Sequence, residues 1–127
     1  DLTLESDIDF IRLATPTTDK KRLKTVLKNS SGFLYYVSVM GITGTKEPDL
    51  ELLKKQVTNL KKETDIPIGI GFGIKRPDQA RKISEFSDAI VVGSSLIENI
   101  MDNYKNNNED DVLLKVSEYI KSLKAAI

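Results

Sequence analysis

The stretch Ile66–Gly73, with the sequence IPIGIGFG, is a short apolar run that ends in two glycines on either side of Phe72. Soon afterwards Pro77 and Asp78 mark the start of a helix, because proline is favoured where a backbone N–H is not needed. A strand this apolar, joined by a glycine turn to a helix, is typical of a parallel sheet that helices cover. The stretch therefore predicts one β-α unit.

The same alternation of an apolar run and an amphipathic helix occurs four times. The predicted strands are Ile8–Ala14, Gly32–Val39, Ile66–Ile70 and Ala89–Val92. Helical spacing of apolar residues follows each of them, and a last helix has on one face Val112, Val116, Tyr119, Ile120 and Leu123. This order fits a small doubly wound domain or part of a (β/α)₈ barrel. Since a whole barrel has about 250 residues, four units amount to about half of one.

The amino-acid composition excludes several classes of functional site. The chain has 127 residues, of which 39% are hydrophobic, and this predicts a single folded α/β unit spanning residues 1–127. Without Cys or His, disulfide scaffolds, Cys/His zinc sites, thiol nucleophiles and His-containing triads are excluded, and no metal site is expected. Because 19 basic and 19 acidic residues cancel and no apolar run is membrane-length, we expect no nucleic acid or membrane partner and a cytoplasmic protein.

Glycines follow three successive predicted strands, at Gly41–Gly44, Gly71–Gly73 and Gly93. A helix that begins directly after such a turn offers N–H groups and the positive end of its dipole to an anion. Ser94 adds a hydroxyl donor at the last of these turns. A purely structural interpretation, with tight glycine turns and Ser94 as a helix cap, competes with this one. Three such turns at the same end of one sheet favour a phosphate site.

Several longer motifs resemble one enzyme family. They are LATPT at Leu13–Thr17, FLYYVS at Phe33–Ser38, GITG at Gly41–Gly44, PIGIGFG at Pro67–Gly73, RPDQA at Arg76–Ala80 and VVGS at Val91–Ser94. In order and spacing they are similar to motifs of the tryptophan synthase α subunit, from about Ile8 to the C-terminus. The resemblance implies a (β/α)₈ fold of the TIM-barrel family. This chain corresponds to its C-terminal half, with four β-α units and a terminal helix.

The resemblance also implies an activity. The family is a lyase of tryptophan biosynthesis that cleaves indole-3-glycerol phosphate to indole and glyceraldehyde 3-phosphate. Indole then passes to a β subunit, which is the expected partner and which carries pyridoxal phosphate. No cofactor is expected on this chain.

Two groups of site residues carry over from the family. The substrate phosphate is expected at Gly44, Gly73, Gly93 and Ser94. The substrate pocket is expected to include Tyr35, Phe72 and Thr43, the last in a loop that closes over the substrate. The plainer alternatives are a solvated loop threonine for Thr43 and a core tyrosine for Tyr35.

The chain departs from the family in ways that affect catalysis. The family's catalytic Glu and Asp belong to earlier β-α units, and no acid here matches them. We therefore assign no catalytic residue and expect this stretch alone to be inactive. Asp1–Ser6 resembles an earlier strand end, but Thr3 replaces the usual Pro and a helix of about a dozen residues is missing before Ile8. Val39 also stands where the family usually has a polar or basic residue.

Two other functions remain open at this point. One is a catalytically inactive half-barrel that only binds a phosphorylated ligand. The other is a flavodoxin-like domain, which is disfavoured because the strand ends here carry glycines instead of an acidic cluster.

Overall fold

The computed structural model describes residues 7–28, 30–38, 49–71, 73–104 and 108–127. Within them, strands and helices alternate as the sequence predicts. The strands are β1 (Arg12–Ala14), β2 (Leu34–Val37), β3 (Ile68–Gly71) and β4 (Ala89–Val91). The helices are α1 (Lys20–Leu27), α2 (Leu50–Leu60), α3 (Pro77–Ser84), α4 (Ser94–Tyr104) and α5 (Glu109–Lys124). No helix in these ranges is long and apolar enough to cross a membrane.

The strand order distinguishes the two architectures that the sequence pattern leaves open. All neighbouring strands are parallel, and the order in the sheet is β1-β2-β3-β4, the same as in the chain. A doubly wound sheet reverses its strand order at a switch point. A sheet without a reversal corresponds to consecutive strands of a (β/α) barrel, so the barrel prediction is confirmed.

The helix-facing side of the sheet forms the core. Ala14, Tyr36, Ile70 and Ile90 lie in register across the four strands on this side. The first three are buried and Ile90 is half-buried. They pack with residues of α2, among which Leu53 and Val57 have almost no exposed surface. The apolar spacing that predicted α2 is therefore its buried face.

The opposite side corresponds to the barrel interior. One row of paired residues on this side runs across the four strands and consists of Leu13, Tyr35, Gly69 and Ala89. The residue that β3 contributes to it is a glycine. Leu13 is 57% exposed, and Ala89 at the other edge is exposed too. The row is thus open at both edge strands, as expected for part of a barrel.

Strand boundaries differ from the predicted ones for local reasons. β1 begins at Arg12 instead of Ile8, because Phe10 takes both of its backbone hydrogen bonds from Ser31 and not from a strand ladder. The Phe10 N–H donates to Ser31 Oγ at 2.7 Å, and the Ser31 N–H donates to the Phe10 carbonyl at 3.2 Å. β3 begins after Pro67, whose nitrogen has no proton to donate.

Three helices begin with a capping side chain. Asp19 accepts from the Arg22 N–H at 2.8 Å, and Asp49 caps α2 in the same way. Asn108 accepts from the Asp111 N–H at 3.0 Å at the start of α5. Such caps satisfy backbone donors that have no partner inside the helix.

Candidate functional site

A small cavity of about 100 Å³ lies where β3 and β4 lead into the helices that follow them. It is lined by Tyr35, Gly73, Ile74, Lys75, Val91, Gly93, Ser94 and Ser95. A water molecule takes up about 30 Å³ of liquid, so the cavity has room for a group of several heavy atoms. The two glycine turns therefore open on one shared space at the carboxyl ends of the strands.

The two glycines in this cavity serve different purposes. Gly73 has a φ of +76°, a backbone conformation that residues with a side chain rarely adopt. A Cβ added to Gly93 would meet no atom within 4 Å, and Gly93 has no such φ. Gly73 is thus required by the backbone, whereas the space beside Gly93 is simply left open. A Cβ at position 93 would therefore enter that space without contacting another described atom.

Helix α4 begins directly at the cavity. The Gly93 carbonyl accepts from the N–H groups of Leu96 and Ile97 at 3.0 and 3.1 Å, which closes the first turn. The N–H groups at the start of a helix have no acceptor inside it. Those of Ser94 and Ser95 therefore provide donors where the helix dipole is positive.

Side chains from three helices hold the turn between β3 and α3. Gln79 Oε1 accepts from the backbone N–H groups of Lys75 and Arg76, at 3.0 and 3.2 Å. Ser95 Oγ donates to the Ile74 carbonyl at 2.8 Å. Tyr119 of α5 reaches the same turn, with its hydroxyl 3.1 Å from the Lys75 carbonyl oxygen. Side chains of α3, α4 and α5 therefore bond to the backbone of residues 74–76 in this turn.

Lys75 is the charged residue of the cavity lining. Its ammonium group forms an ion pair with Glu98 at 2.8 Å, and both side chains are about half exposed. Next to it Arg76 pairs with Asp78, and this hydrogen bond lowers the pKa of the Asp78 carboxyl below its usual value. No Asp or Glu of the described residues lines the cavity. An anion there would consequently meet N–H and hydroxyl donors and one lysine.

Tyr35 closes the cavity from β2. Its ring lies over Gly71 of the next strand, and it meets Phe33 edge-on with 6.5 Å between the ring centres. Phe33 in turn covers Gly69, where a Cβ would lie 2.9 Å from the Phe33 ring. The two glycines of β3 leave space that is filled by the Tyr35 ring of β2 and by the Phe33 ring just before β2.

The structure brings together four of the seven predicted site residues: Tyr35, Gly73, Gly93 and Ser94. The other three, Thr43, Gly44 and Phe72, lie outside the described residues. The roles of all seven in binding stay predictions. Within the described ranges no group of three or more acidic side chains could hold a metal ion.

The sequence did not indicate two contacts at this site, one made by the Ser95 hydroxyl and one made by the Tyr119 hydroxyl. Ser95 was not distinguished from Ser94, and Tyr119 was placed on the apolar face of α5. The available signal was the position of Ser95 in the first turn of α4, where hydroxyls commonly bond to backbone. No pattern in the sequence indicated that Tyr119 would reach a turn 44 residues earlier.

A second depression, on the other side of α4, has an apolar character. The groove between β4, α4 and α5 measures about 280 Å³, and its lining is mostly apolar, with Ile90, Val92, Leu96, Leu123 and Ile127 among its residues. A surface of this kind favours packing against another apolar surface over anion binding.

Comparison with known proteins agrees with this geometry. The family model described as "Tryptophan synthase alpha chain" matches residues 1–127. The tryptophan synthase alpha chain of Phenylobacterium zucineum (strain HLK1) is 42% identical over 120 residues, which cover 94% of this chain and 43% of that protein.

Solved structures give the same result. Tryptophan synthase subunit alpha from Legionella pneumophila str. Paris superposes with a TM-score of 0.81 at 32% identity, over 94% of this chain and 42% of that one. A structure of Mycobacterium tuberculosis tryptophan synthase superposes with a TM-score of 0.80 at 28% identity, over 98% of this chain and 44% of that one. This chain thus spans less than half the length of these relatives. On the family match and the shared barrel fold, the chain belongs to the tryptophan synthase alpha chain family.

Proposed function

We propose that this chain supplies the phosphate-binding half of a tryptophan synthase α subunit, a lyase that cleaves indole-3-glycerol phosphate to indole and glyceraldehyde 3-phosphate. The observation that carries the proposal is the convergence of two glycine turns on one cavity, beside the N-terminus of α4. Phosphate sites in barrels are commonly built from the loops after the last two strands and a helix N-terminus. In this proposal β3 and β4 would take those positions.

Binding is the contribution of the residues that the cavity brings together. We name as the phosphate cradle the three residues Gly73, Gly93 and Ser94. The cradle would hold the phosphate with backbone donors and the Ser94 hydroxyl. Charge-assisted hydrogen bonds of this kind are about twice as strong as neutral ones. Tyr35 would form the wall next to the phosphate. Holding this end of the substrate orients the reacting bond elsewhere in the barrel.

The chemical step requires groups that the cavity does not contain. Retro-aldol cleavage needs one proton delivered to the indole ring and another removed from a hydroxyl. No carboxylate of the described residues lines the cavity, so a Glu and an Asp of the preceding β-α units would act as the proton donors and acceptors. Gly44 would add to the phosphate cradle, and Thr43 and Phe72 to the pocket.

The rest of the proposal follows from family membership. Residues 1–127 would form a single unit of the barrel. The product indole would pass to a β subunit carrying pyridoxal phosphate, and both subunits would act in the cytoplasm. The cavity without carboxylates also fits the second candidate, a half-barrel that binds a phosphorylated ligand and performs no chemistry.

Calorimetric titration with glycerol 3-phosphate tests the binding part. Gly93→Val fills the open space beside position 93, so we expect binding to be lost while the fold persists. Ser94→Ala should weaken binding about tenfold, the effect of one hydrogen bond to a charged group. Ser84→Ala is the matched control, because it removes a serine hydroxyl that bonds the Arg81 carbonyl within α3 and does not line the cavity. Unchanged affinity in Gly93→Val would place the phosphate elsewhere.

A further inference from the structure

The hydroxyl of Tyr119 joins three parts of the chain at one point. It lies 2.9 Å from Ser95 Oγ in the first turn of α4 and 3.1 Å from the Lys75 carbonyl in the β3–α3 turn. Ser95 Oγ itself donates to the Ile74 carbonyl at 2.8 Å. Because that bond uses the Ser95 proton, the single Tyr119 proton is shared between Ser95 Oγ and the Lys75 carbonyl.

This arrangement lies directly behind the candidate site. Ile74, Lys75 and Ser95 line the same cavity as Gly73 and Gly93. Ser95 is buried, at 8% exposure, so its hydroxyl depends on protein partners for its hydrogen bonds. Tyr119 thus adds a second link between the two backbone turns that face the cavity, beside the direct bond from Ser95 to Ile74.

We propose that Tyr119 is a positioning residue for phosphate binding, which it supports through its hydroxyl and without touching the ligand. The inference rests on the proposed function of the phosphate cradle. Donors from two separate turns bind one anion well only when their separation is set before binding, since ordering them on binding reduces affinity. The direct bond from Ser95 to Ile74 holds the turns at one point, and the shared proton of Tyr119 adds a second point by bonding to both turns at once.

The polar contact can be separated from the packing of the ring. The Tyr119 ring packs against the buried core from α5, and a phenylalanine would fill the same space. The Lys75–Glu98 ion pair also links the turn to α4, but both groups are about half exposed, and such pairs add little rigidity. The hydroxyl of Tyr119 is therefore the group whose removal should loosen the cradle.

Calorimetry with inorganic phosphate and with glycerol 3-phosphate tests the proposal on the full 127-residue chain. We expect Tyr119→Phe to bind both ligands about three- to tenfold more weakly, as expected for the loss of one neutral hydrogen bond. Tyr104→Phe is the matched control, since its side chain is 64% exposed near the end of α4. Ser95→Ala should weaken binding similarly, and the double variant should lose no more than either single one, because the two hydroxyls act as a unit.

Two further measurements separate positioning from general stability. Asp88→Ala removes contacts at the amino ends of β3 and β4, so it should lower the unfolding midpoint and leave phosphate affinity unchanged. Amide hydrogen exchange by NMR should be faster in Tyr119→Phe at residues 74–75 and 94–96, with or without ligand.

The outcomes distinguish the two proposals. If the unaltered chain binds phosphate, Gly93→Val abolishes binding and Tyr119→Phe binds normally, then the positioning role is wrong and the site stands. If the unaltered chain binds no phosphate, or Gly93→Val leaves binding intact, both proposals fall. A loss of affinity in Asp88→Ala equal to that in Tyr119→Phe would also overturn the positioning role.

Discussion

The Tyr35 ring lies across Gly71 of the neighbouring strand, so closely that a Cβ at position 71 would be 2.8 Å from the Tyr35 Cζ atom. Real Cβ atoms do not approach other atoms to this distance, so one of the two residues must move if Gly71 gains a side chain. Tyr35 also lines the candidate cavity. The shape of that cavity is therefore coupled to the absence of a side chain on β3.

Gly71→Ala should consequently destabilise the fold by about 1–3 kcal/mol, the usual range for overpacking. Gly71→Ala combined with Tyr35→Ala should recover part of this loss, because the removed ring frees the space. Denaturant unfolding of the four proteins in this cycle measures the coupling, which we expect at about 0.5–3 kcal/mol. Gly69→Ala with Tyr35→Ala is the control, since Gly69 is covered by Phe33. Strict additivity in the Gly71 cycle would contradict the contact.

Tyr36 should make the folding stability of the protein fall at alkaline pH. Burial raises the pKa of Tyr36 to about 12, against about 10 in the unfolded chain. Because the folded value is the higher one, stability is unaffected below about pH 10 and falls between about pH 10 and 12, by up to about 1.4 kcal/mol per pH unit. Denaturant unfolding across that range should show this slope in the unaltered protein and a shallower one in Tyr36→Phe. Tyr104→Phe, which alters an exposed tyrosine, should leave the slope unchanged.

Asp88 anchors the amino ends of two strands. Its carboxylate accepts from the Ile68 N–H and from Lys61, both at 2.8 Å. The bond from Lys61, together with that from the Ile68 N–H, lowers the pKa of Asp88 below its usual value. The contribution is therefore full above about pH 4, the unfolded value, and is lost as the pH falls through the lower folded value.

Asp88→Ala should destabilise the protein by about 1–2 kcal/mol at neutral pH, mainly because the Ile68 N–H loses its partner. The exposed ion pair itself adds little. Unfolding midpoints at neutral and at acidic pH measure the effect, and the difference from the unaltered protein should shrink in acid. Asp78→Ala is the control, because that carboxylate lies at the start of α3 and accepts from the exposed Arg76 side chain instead of from a strand N–H. A difference for Asp88→Ala that persists at the lowest pH would contradict the assignment.

The 127-residue chain by itself should release no indole from indole-3-glycerol phosphate. None of the described residues that line the cavity carries a carboxylate. The cavity therefore offers no carboxylate as the general acid or general base that the cleavage needs. An indole assay on purified protein of verified mass measures this, with an intact α subunit as the positive control. Indole release that Gly93→Val abolishes would show that an acid of this chain performs the chemistry.

The exposed edges of the inner face predict self-association of the isolated chain. Leu13 is 57% exposed on β1, which forms one edge of the sheet within the described residues, and β4 forms the other edge. Each large apolar side chain left in water forgoes about 1.5–3 kcal/mol, and free strand edges pair readily. Light scattering at low micromolar concentration should give a mass of at least twice 14.2 kDa.

Leu13→Lys should shift this equilibrium toward the monomer, because it places a charge on the inner face. Leu113→Lys is the matched control, since that leucine is 68% exposed on α5 and is not part of the inner face of the sheet. A monomeric unaltered chain with a sharp cooperative thermal transition would contradict the prediction.

The sequence was sufficient for the β-α order, because apolar runs and helical spacing are local signals. It was also sufficient for placing Gly73, Gly93 and Ser94 at one end of the sheet, since parallel strands share that end. It did not show which side of the sheet Tyr35 and Ile70 face, because the register between strands determines this. The Tyr119 contact could not be predicted either, because it joins residues 44 positions apart and depends on tertiary packing.

The position of Tyr119 also has a consequence for the order in which the protein is made. Synthesis proceeds from the N-terminus, and 24 positions separate Ser95 from the tyrosine that bonds to it. Until a ribosome has added α5, the emerging chain has both glycine turns and the bond from Ser95 to Ile74, but it lacks the Tyr119 contact with both turns. The first turn of α4 then carries a serine hydroxyl without its tyrosine partner. Completion of the two-turn arrangement is thus a late event in translation, and a chain that stops before residue 119 never reaches it.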